Sequence, residues 1–571
     1  MKRQGRSSFR LESRWVGGLP IVNSLLQRLR ADTLLTRTLP AADVRAKLAP
    51  GDVLGVLLRN LILNERRPLY TQAEWAARVE PALLGLQAEE QPLAFNDDRV
   101  GRALDLLFQA DRASLMTELV LRAIREFHID LNQLHNDSTT ITFSGQYAGA
   151  DGHLVRGQPT LRVTYGHNKD HRPDLKQLLF VLSVSADGAV PIHYKALDGN
   201  TADSVTHIDT WETLCRIAGS TDFLYVADCK LCSRASLAYI TKHGGRFITV
   251  LPRNRREDRW FRQFVQVHDP PWEEAIRRPN PRRRSGPEDV WKVVEAELPS
   301  REGYRIVWVW NSLMAAQDAD ARQARIEKAW AGMERLQTKL QGKRCRYRSR
   351  SRVEEVAEQI VEESGAGRWV SYVVEERNQP VFRQEHRGRP GAKTRYVRKE
   401  RLRFSVSLKT RPEVLEQDER TDGMFPLITN CRDLSKAKIL EAYKFQPRLE
   451  KRHEQLKSVE DVAPIYLKKI TRIEALLFLY FVALLVQALL EREVRLAMAR
   501  EKIEMLPLYP EERECRAPST ERILELFETL QRHRLRDGER LLQTFEPDLS
   551  DLQRQVLRLL HVPAEAFTAS A

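Results

Sequence analysis

Cysteine is scarce: six residues in 571 are too few for a disulfide scaffold, which points to a reducing compartment. A secretory leader is missing too, because the basic stretch Met1 to Arg14 is not followed by a long apolar run with a small-residue cleavage site. One apolar segment stands out, Ala475 to Leu490, 16 residues interrupted only by Gln487. A bilayer crossing needs ~20 residues, and Arg472, Glu474, Glu491 and Arg492 flank this one closely. A helix apolar all round fits the core of a large soluble protein better than a membrane. There is no Gly-x4-Gly-Lys-Ser/Thr phosphate loop, so no nucleotide cofactor is expected, and no internal repeat. Acids are in deficit: 78 Asp and Glu against 92 Lys and Arg give a net charge of +14. That balance suggests a polyanionic partner, nucleic acid ahead of a membrane surface. The 42% apolar and 8% aromatic content excludes a wholly disordered basic chain. The length suggests about four domains.

The first 30 residues carry seven basic residues and only Glu12 as an acid, which reads either as a solvated terminus or as a phosphate-contacting arm. Residues from about 40 to 127 show helical spacing, at Val53 to Leu63 and from Arg99 to Phe127, with Asn96 or Asp97 as a cap. From about 129 the pattern turns to strands: Asp137–Phe143, Leu161–Tyr165, Leu178–Ser185 and the short apolar run Phe223–Ala227. A helix from Ser233 to about His243 and a strand Phe247–Leu251 complete a parallel strand–helix–strand unit. About 190 residues then precede the next strong helix at Tyr443, too many for a loop, so an inserted domain is inferred. It holds strand candidates Tyr304–Trp310, Trp369–Glu375 and Leu402–Leu408, a long helix from about Ala315 to Leu340, and seven of the ten tryptophans. Two basic clusters, at 343–352 and 387–403, are candidates for phosphate contacts or mobile surface runs. Helix resumes over 437–505, and a last helical segment is expected from about Pro518.

Three acids stand out by position. Asp137 lies in the first strand of the mixed region. Asp228 follows the buried strand Phe223–Ala227 at its carboxyl end, where ligands bind in open α/β sheets. Glu450 lies on a helix, in line with Glu454 and Lys457. Taken singly, each reads as readily as a turn, cap or solvated position. Their order, with a large insertion before the last, suits a site for two hard, oxygen-seeking cations acting on phosphodiesters.

In that order and in its motifs the chain resembles insertion-sequence transposases of the DDE type, in particular those with a Tyr-x2-Arg-x3-Glu-x6-Lys signature. Tyr443, Glu450 and Lys457 match it in type and spacing, whereas Gln446 stands where the signature has Arg, with Arg448 two residues on. A Gln lacks the charged bidentate fork of Arg. The likeness extends to His135–Thr139, Val226–Cys229, Gly166–Asp174 and Asp422–Leu427, and covers nearly the whole chain.

The resemblance implies an α/β fold: a ribonuclease H-like mixed sheet over 128–254 and 437–505, a large, mainly β inserted domain over 255–436, and flanking helical regions at 1–127 (DNA-binding) and 506–571. It implies that Asp137, Asp228 and Glu450 hold two Mg²⁺ or Mn²⁺ ions, and that Tyr443, Gln446, Arg448, His453 and Lys457 contact DNA. The partner would be double-stranded DNA, as terminal inverted repeats and target, bound by a homodimer in the bacterial cytoplasm, on the nucleoid when engaged, with no membrane. The reaction would be cut-and-paste transposition; a metal-dependent nuclease without strand transfer and an inactive DNA-binding relic are the alternatives.

Other constellations compete. Cys229-x2-Cys232 has no second pair to complete a metal site and reads as packing. His167 and His171 with Asp170 and Asp174 read as a metal site or as a polar loop. Asp422 is a rival third acid in a probable turn. The tryptophans of the insertion read as core or as platforms for an unpaired base.

Overall fold

The computed structural model describes residues 9–40, 48–63, 69–86, 95–279, 286–342, 345–462 and 467–568. The protein is mixed α/β, and its chain divides into two compact units, Met1–Thr249 with Glu441–Ala571, and Val250–Leu440.

The first unit is built on a mixed sheet. Gln133–Phe143 is central, between the antiparallel strand Lys176–Ser185 and the parallel strand Leu224–Ala227. Pro191–Asp198 adds antiparallel on one side and Arg246–Val250 parallel on the other. In chain order these five strands lie 3-2-1-4-5 across the sheet. The turn between the second and third strands needs glycine: Gly188 has φ +82°, and a Cβ there would stand 2.9 Å from the Arg492 side chain. The parallel crossover is the helix Arg234–Lys242, started by Ser233, whose hydroxyl accepts from the amide of Ser236 at 3.1 Å.

The sheet is backed by the helix Ile470–Arg500. It is the one helix among the described residues long and apolar enough to cross a membrane, and its apolar window is 100% buried inside the protein. It packs against the helices Pro50–Ile62 and Asp97–Gln109, and Gln487 Nε2 donates to the Ile62 carbonyl at 3.1 Å. The helix expected from Arg99 to Phe127 is two, Asp97–Gln109 and Arg112–Phe127. Ala110 is extended and Asp111 starts the second helix by accepting from Ser114 N at 3.0 Å.

Three further expectations are corrected. Leu161–Tyr165 forms no strand, only isolated bridges, because the carboxylates of Glu474 and Asp198 take the amides of Leu161 and Arg162, each at 2.8 Å. The 506–571 region is not simply helical: it holds the strands Leu506–Tyr509, Arg513–Cys515, Gln531–Asp537 and Arg540–Phe545. Gln531–Asp537 is the middle strand of a small sheet whose other edge is Phe9–Trp15, so 1–127 also contributes a strand. Asp537-Gly538 turns the hairpin, with Gly538 at φ +59°.

The second unit is mixed rather than mainly β. A four-stranded antiparallel sheet runs Met424–Thr429, Arg305–Asn311, Asp289–Glu295, Glu273–Arg278. Phe261, from the helix Arg256–Val267, stacks on buried Trp308 at 4.3 Å. Helices of 30 and 15 residues, Ser312–Gln341 and Arg350–Ser364, pack with the base of a long hairpin, Val370–Gln384 and Tyr396–Thr410, in a core of their own. The apolar positions of those helices, such as Ile326, Met333, Val353 and Val361, are separated by charged residues that dilute the helical signal in the sequence.

Candidate active site

All three acids of the sequence pattern lie in the first unit. Asn136 pairs with Ala227 across the parallel strands, so Asp137 and Asp228, one residue on, occupy adjacent positions on neighbouring strands, ~4.8 Å apart along the hydrogen-bonding direction. Asp228 starts the turn after its strand by accepting from Lys230 N at 3.0 Å, and its carbonyl accepts from Thr249 Oγ1 at 2.5 Å. Burial, and then the neighbouring Asp137 carboxylate, push the Asp228 carboxyl up to about 6. Asp137 is also raised, by burial first, with Lys169 working in the opposite direction. Two neighbouring carboxyls that both resist ionisation, Asp228 partly because of Asp137, form a region that favours a cation.

Lys169 now supplies positive charge there. Its ammonium stands 3.6 Å from Asp137 and 3.2 Å from Asp203, and donates to the Ser138 carbonyl and hydroxyl at 2.6 and 2.8 Å. Asp203 lies in the turn Asp203–Val205 and raises the carboxyls of both Asp137 and Asp228. Sequence reasoning missed both roles. Lys169 sits within a quoted motif, but nothing local marks Asp203, which reaches the site only through the path of the chain after Pro191–Asp198.

Glu450 lies on the surface of the helix Gln446–Val462, its carboxyl raised by burial, then by Asp137 and Glu454. Tyr443 ends the preceding helix, Lys436–Tyr443. Its phenol is held protonated by burial first, and then by Asp228, Cys229, Glu450 and Asp137.

The other expected DNA contacts divide. Gln446 is buried, at 6% exposure: its Oε1 meets His135 Nδ1 at 2.8 Å and its Nε2 donates to the Asn136 carbonyl at 3.2 Å. It joins the Glu450 helix to the strand of Asp137 and is not placed to meet DNA, because both ends of its amide are committed inward. His453 is corrected likewise. It is buried, with Nδ1 3.7 Å from Asp137 and Nε2 without a hydrogen-bond partner, and burial pushes it down to about 3, so it is neutral. Arg448 is exposed, its guanidinium 4.9 Å from the Phe445 ring centre. Lys457 is paired with Asp170.

Among the described residues no three His, Cys, Asp or Glu side chains form a ready metal cluster. The donor chemistry nonetheless fits a hard divalent cation at Asp137 and Asp228: two oxygen donors, partly buried, mutually repelling and approached by an ammonium. His167 and His171 are exposed, and Asp174 is bound by Arg172 at 2.8 Å, so that loop is not a metal site. Asn168 anchors it, donating to Gln177 at 2.9 Å. The Cys229 thiol is raised by burial and then by Asp228, Cys232 is buried, and all six cysteines are free. Asp422 lies in the second unit with its two oxygens bound by Arg322 at 2.8 and 2.7 Å.

Residues 11–121 match a family model described as a domain of unknown function (DUF4277). No curated protein matches the chain. Among solved structures, the chain is similar to the "Mos1 transposase paired-end complex with left transposon end" at 12% identity and a TM-score of 0.14, over 28% of this chain. It spans about half, 54%, of the length of that protein. A score of that size does not establish a shared fold. The observed structure defines the chain as a mixed α/β protein with an acidic centre on parallel strand ends.

Proposed function

We propose that the chain is a DDE-type DNA transposase with a ribonuclease H-like core, which nicks transposon ends and joins the freed 3′-hydroxyl to target DNA. The observation that carries this reading is the placement of Asp137 and Asp228 beside each other on neighbouring parallel strands, with Glu450 on the helix that Gln446 ties to the strand of Asp137. The strand order 3-2-1-4-5 supports it. Two Mg²⁺ or Mn²⁺ ions held by Asp137, Asp228 and Glu450 would supply charge stabilisation at the attacking and leaving oxygens. The chain itself provides positioning. Tyr443, kept protonated, donates to a phosphate oxygen; Arg448 and Lys457 face the DNA backbone, Lys457 leaving Asp170 to do so. In the first step water attacks phosphorus and the 3′-oxygen leaves and takes a proton. In the second that hydroxyl loses its proton and attacks a target phosphodiester, so one bond forms as one breaks. The partner is duplex DNA held by a homodimer, with residues 1–127 assisting, in the cytoplasm and on the nucleoid.

The test is a strand-transfer assay with Mg²⁺ and the element's terminal repeats. Joining is expected in the wild type and its loss, by at least about 10³-fold, in Asp228→Ala. Joining that survives the substitution overturns the mechanism; hydrolysis without joining assigns a nuclease instead.

A further inference from the structure

The long hairpin of the second unit has two parts. At its base Val370, Val374, Phe404, Val406 and Leu408 are buried against the two helices. Beyond Arg377 and Arg403 the paired strands continue to Gln384 and Tyr396, roughly 25 Å at ~3.4 Å per residue, and almost every position is exposed. Phe382 is 65% and Tyr396 53% exposed. A two-stranded ribbon without a packed face is marginal in water, so its length calls for a partner.

Charge identifies that partner. Residues 377–403 hold ten Lys and Arg against two Glu. Successive strand residues alternate faces, and the register sets Arg377 opposite Arg403, Gln379 opposite Arg401, Val381 opposite Lys399 and Arg383 opposite Val397. That face carries five cations and no acid between Arg377 and Arg403. Like charges facing each other disfavour the isolated ribbon. Arg403 and Arg401 are fixed at the base, donating to the carbonyls of Gly342 at 3.0 Å and Cys345 at 3.3 Å. Among the described residues, Arg383, Arg387, Arg389, Lys393, Arg398 and Lys399 make no ion pair. The other basic cluster differs: Arg350 and Arg352 are paired with Glu354 and Glu355 at 2.7 and 2.5 Å on their own helix.

We infer that the ribbon Arg377–Arg403 is a duplex-DNA reader that enters the major groove, with Arg383 and Lys399 on the groove-lining phosphates. The major groove, ~12 Å wide, admits a two-stranded β-ribbon, whereas the deep, narrow major groove of A-form RNA does not. The choice of DNA rests on the proposed function; the mode of binding rests on the ribbon.

The test uses the full chain and a 40-base-pair duplex in EDTA, so that binding is read without chemistry. The double variant Arg383→Gln, Lys399→Gln changes only exposed side chains. Its log K against log salt line is expected to be shallower by about 1.8, at ~0.9 per lost phosphate contact, with affinity down roughly 50-fold at 0.1 M salt. N7-methylation of guanines is expected to weaken wild-type binding, and a minor-groove ligand such as netropsin to leave it unchanged. An unchanged salt slope, competition by netropsin, or equal competition by duplex RNA would each overturn the inference. A wild type that binds with the expected slope but never joins strands would remove the transposase reading and leave the ribbon standing.

Discussion

Asp228 shows how a site is stored in a single side chain. Its carboxyl is pushed up to about 6 by burial and by Asp137, with Lys169 and Asp203 also facing it. A raised carboxyl keeps its proton in the folded chain after the unfolded chain has lost it. Folding therefore binds a proton over that interval, and stability falls as pH rises from about 4 to about 6, then stays lower. The loss amounts to roughly 2–3 kcal/mol. Asp228→Asn removes it and can still accept from Lys230 N. Urea titrations in EDTA are expected to find the variant more stable than wild type by roughly that amount at pH 8, and equal to it near pH 3.5. A variant no more stable at pH 8 would show that the carboxylate is not held against repulsion. Asp137 and Asp228 were legible in the sequence because each follows from a strand and its end, which are local patterns. Lys169 and Asp203 were not, since their meeting depends on how two loops return to the sheet edge. Gln446 was misread for a related reason: the signature spacing gives the helix but not which of its faces is buried.

At the scale of elements, the helix carrying Glu450 is held by a pair the sequence gives no sign of. Arg452 and Glu491 are 3% and 2% exposed and 3.0 Å apart. Arg452 also donates to the carbonyls of Ala189 at 3.0 Å and Gly188 at 3.1 Å, while Glu491 accepts from Thr520 N at 3.1 Å. One ion pair thus joins the Glu450 helix, the turn between two sheet strands and the apolar helix Ile470–Arg500. The apolar helix itself was legible, because sixteen nearly uninterrupted apolar residues require burial on every side. Glu491→Ala leaves a buried guanidinium uncompensated and is expected to cost about 3–5 kcal/mol, whereas the double change Arg452→Met with Glu491→Leu should cost much less. Urea midpoints of the three proteins decide it. If the single variant costs under about 1 kcal/mol, the pair does not hold the helix.

Across the whole chain, the first unit is closed by its two ends. Phe9–Trp15 pairs antiparallel with Gln531–Asp537 along its full length, from Phe9 opposite Asp537 to Trp15 opposite Gln531. Arg536 reaches Glu12 at 3.1 Å and Arg534 reaches Glu80 at 3.0 Å. Within the basic N-terminal segment, legible only as an arm or a solvated terminus, Phe9–Trp15 is thus an edge strand whose partner lies more than five hundred residues away, while residues 1–8 lie outside the described residues. Pairing at that separation has no local signature, and the Asp537-Gly538 turn that would have announced the hairpin lies in a stretch whose arginines obscure its alternation. Gln531–Asp537 is the central strand of the three, so its amides serve neighbours on both sides. Leu535→Pro removes a donor from that strand and is tolerated poorly in such a position. Hydrogen exchange read by mass spectrometry is expected to show peptides spanning 9–15 losing most of their protection in this variant, while peptides spanning 133–143 keep theirs. Unchanged exchange at 9–15 would mean that the N-terminal strand is held by its contacts with Val79 and Glu80 rather than by the carboxyl-terminal sheet. Equal loss at 133–143 would mean that the terminal sheet and the acidic centre unfold as one cooperative body.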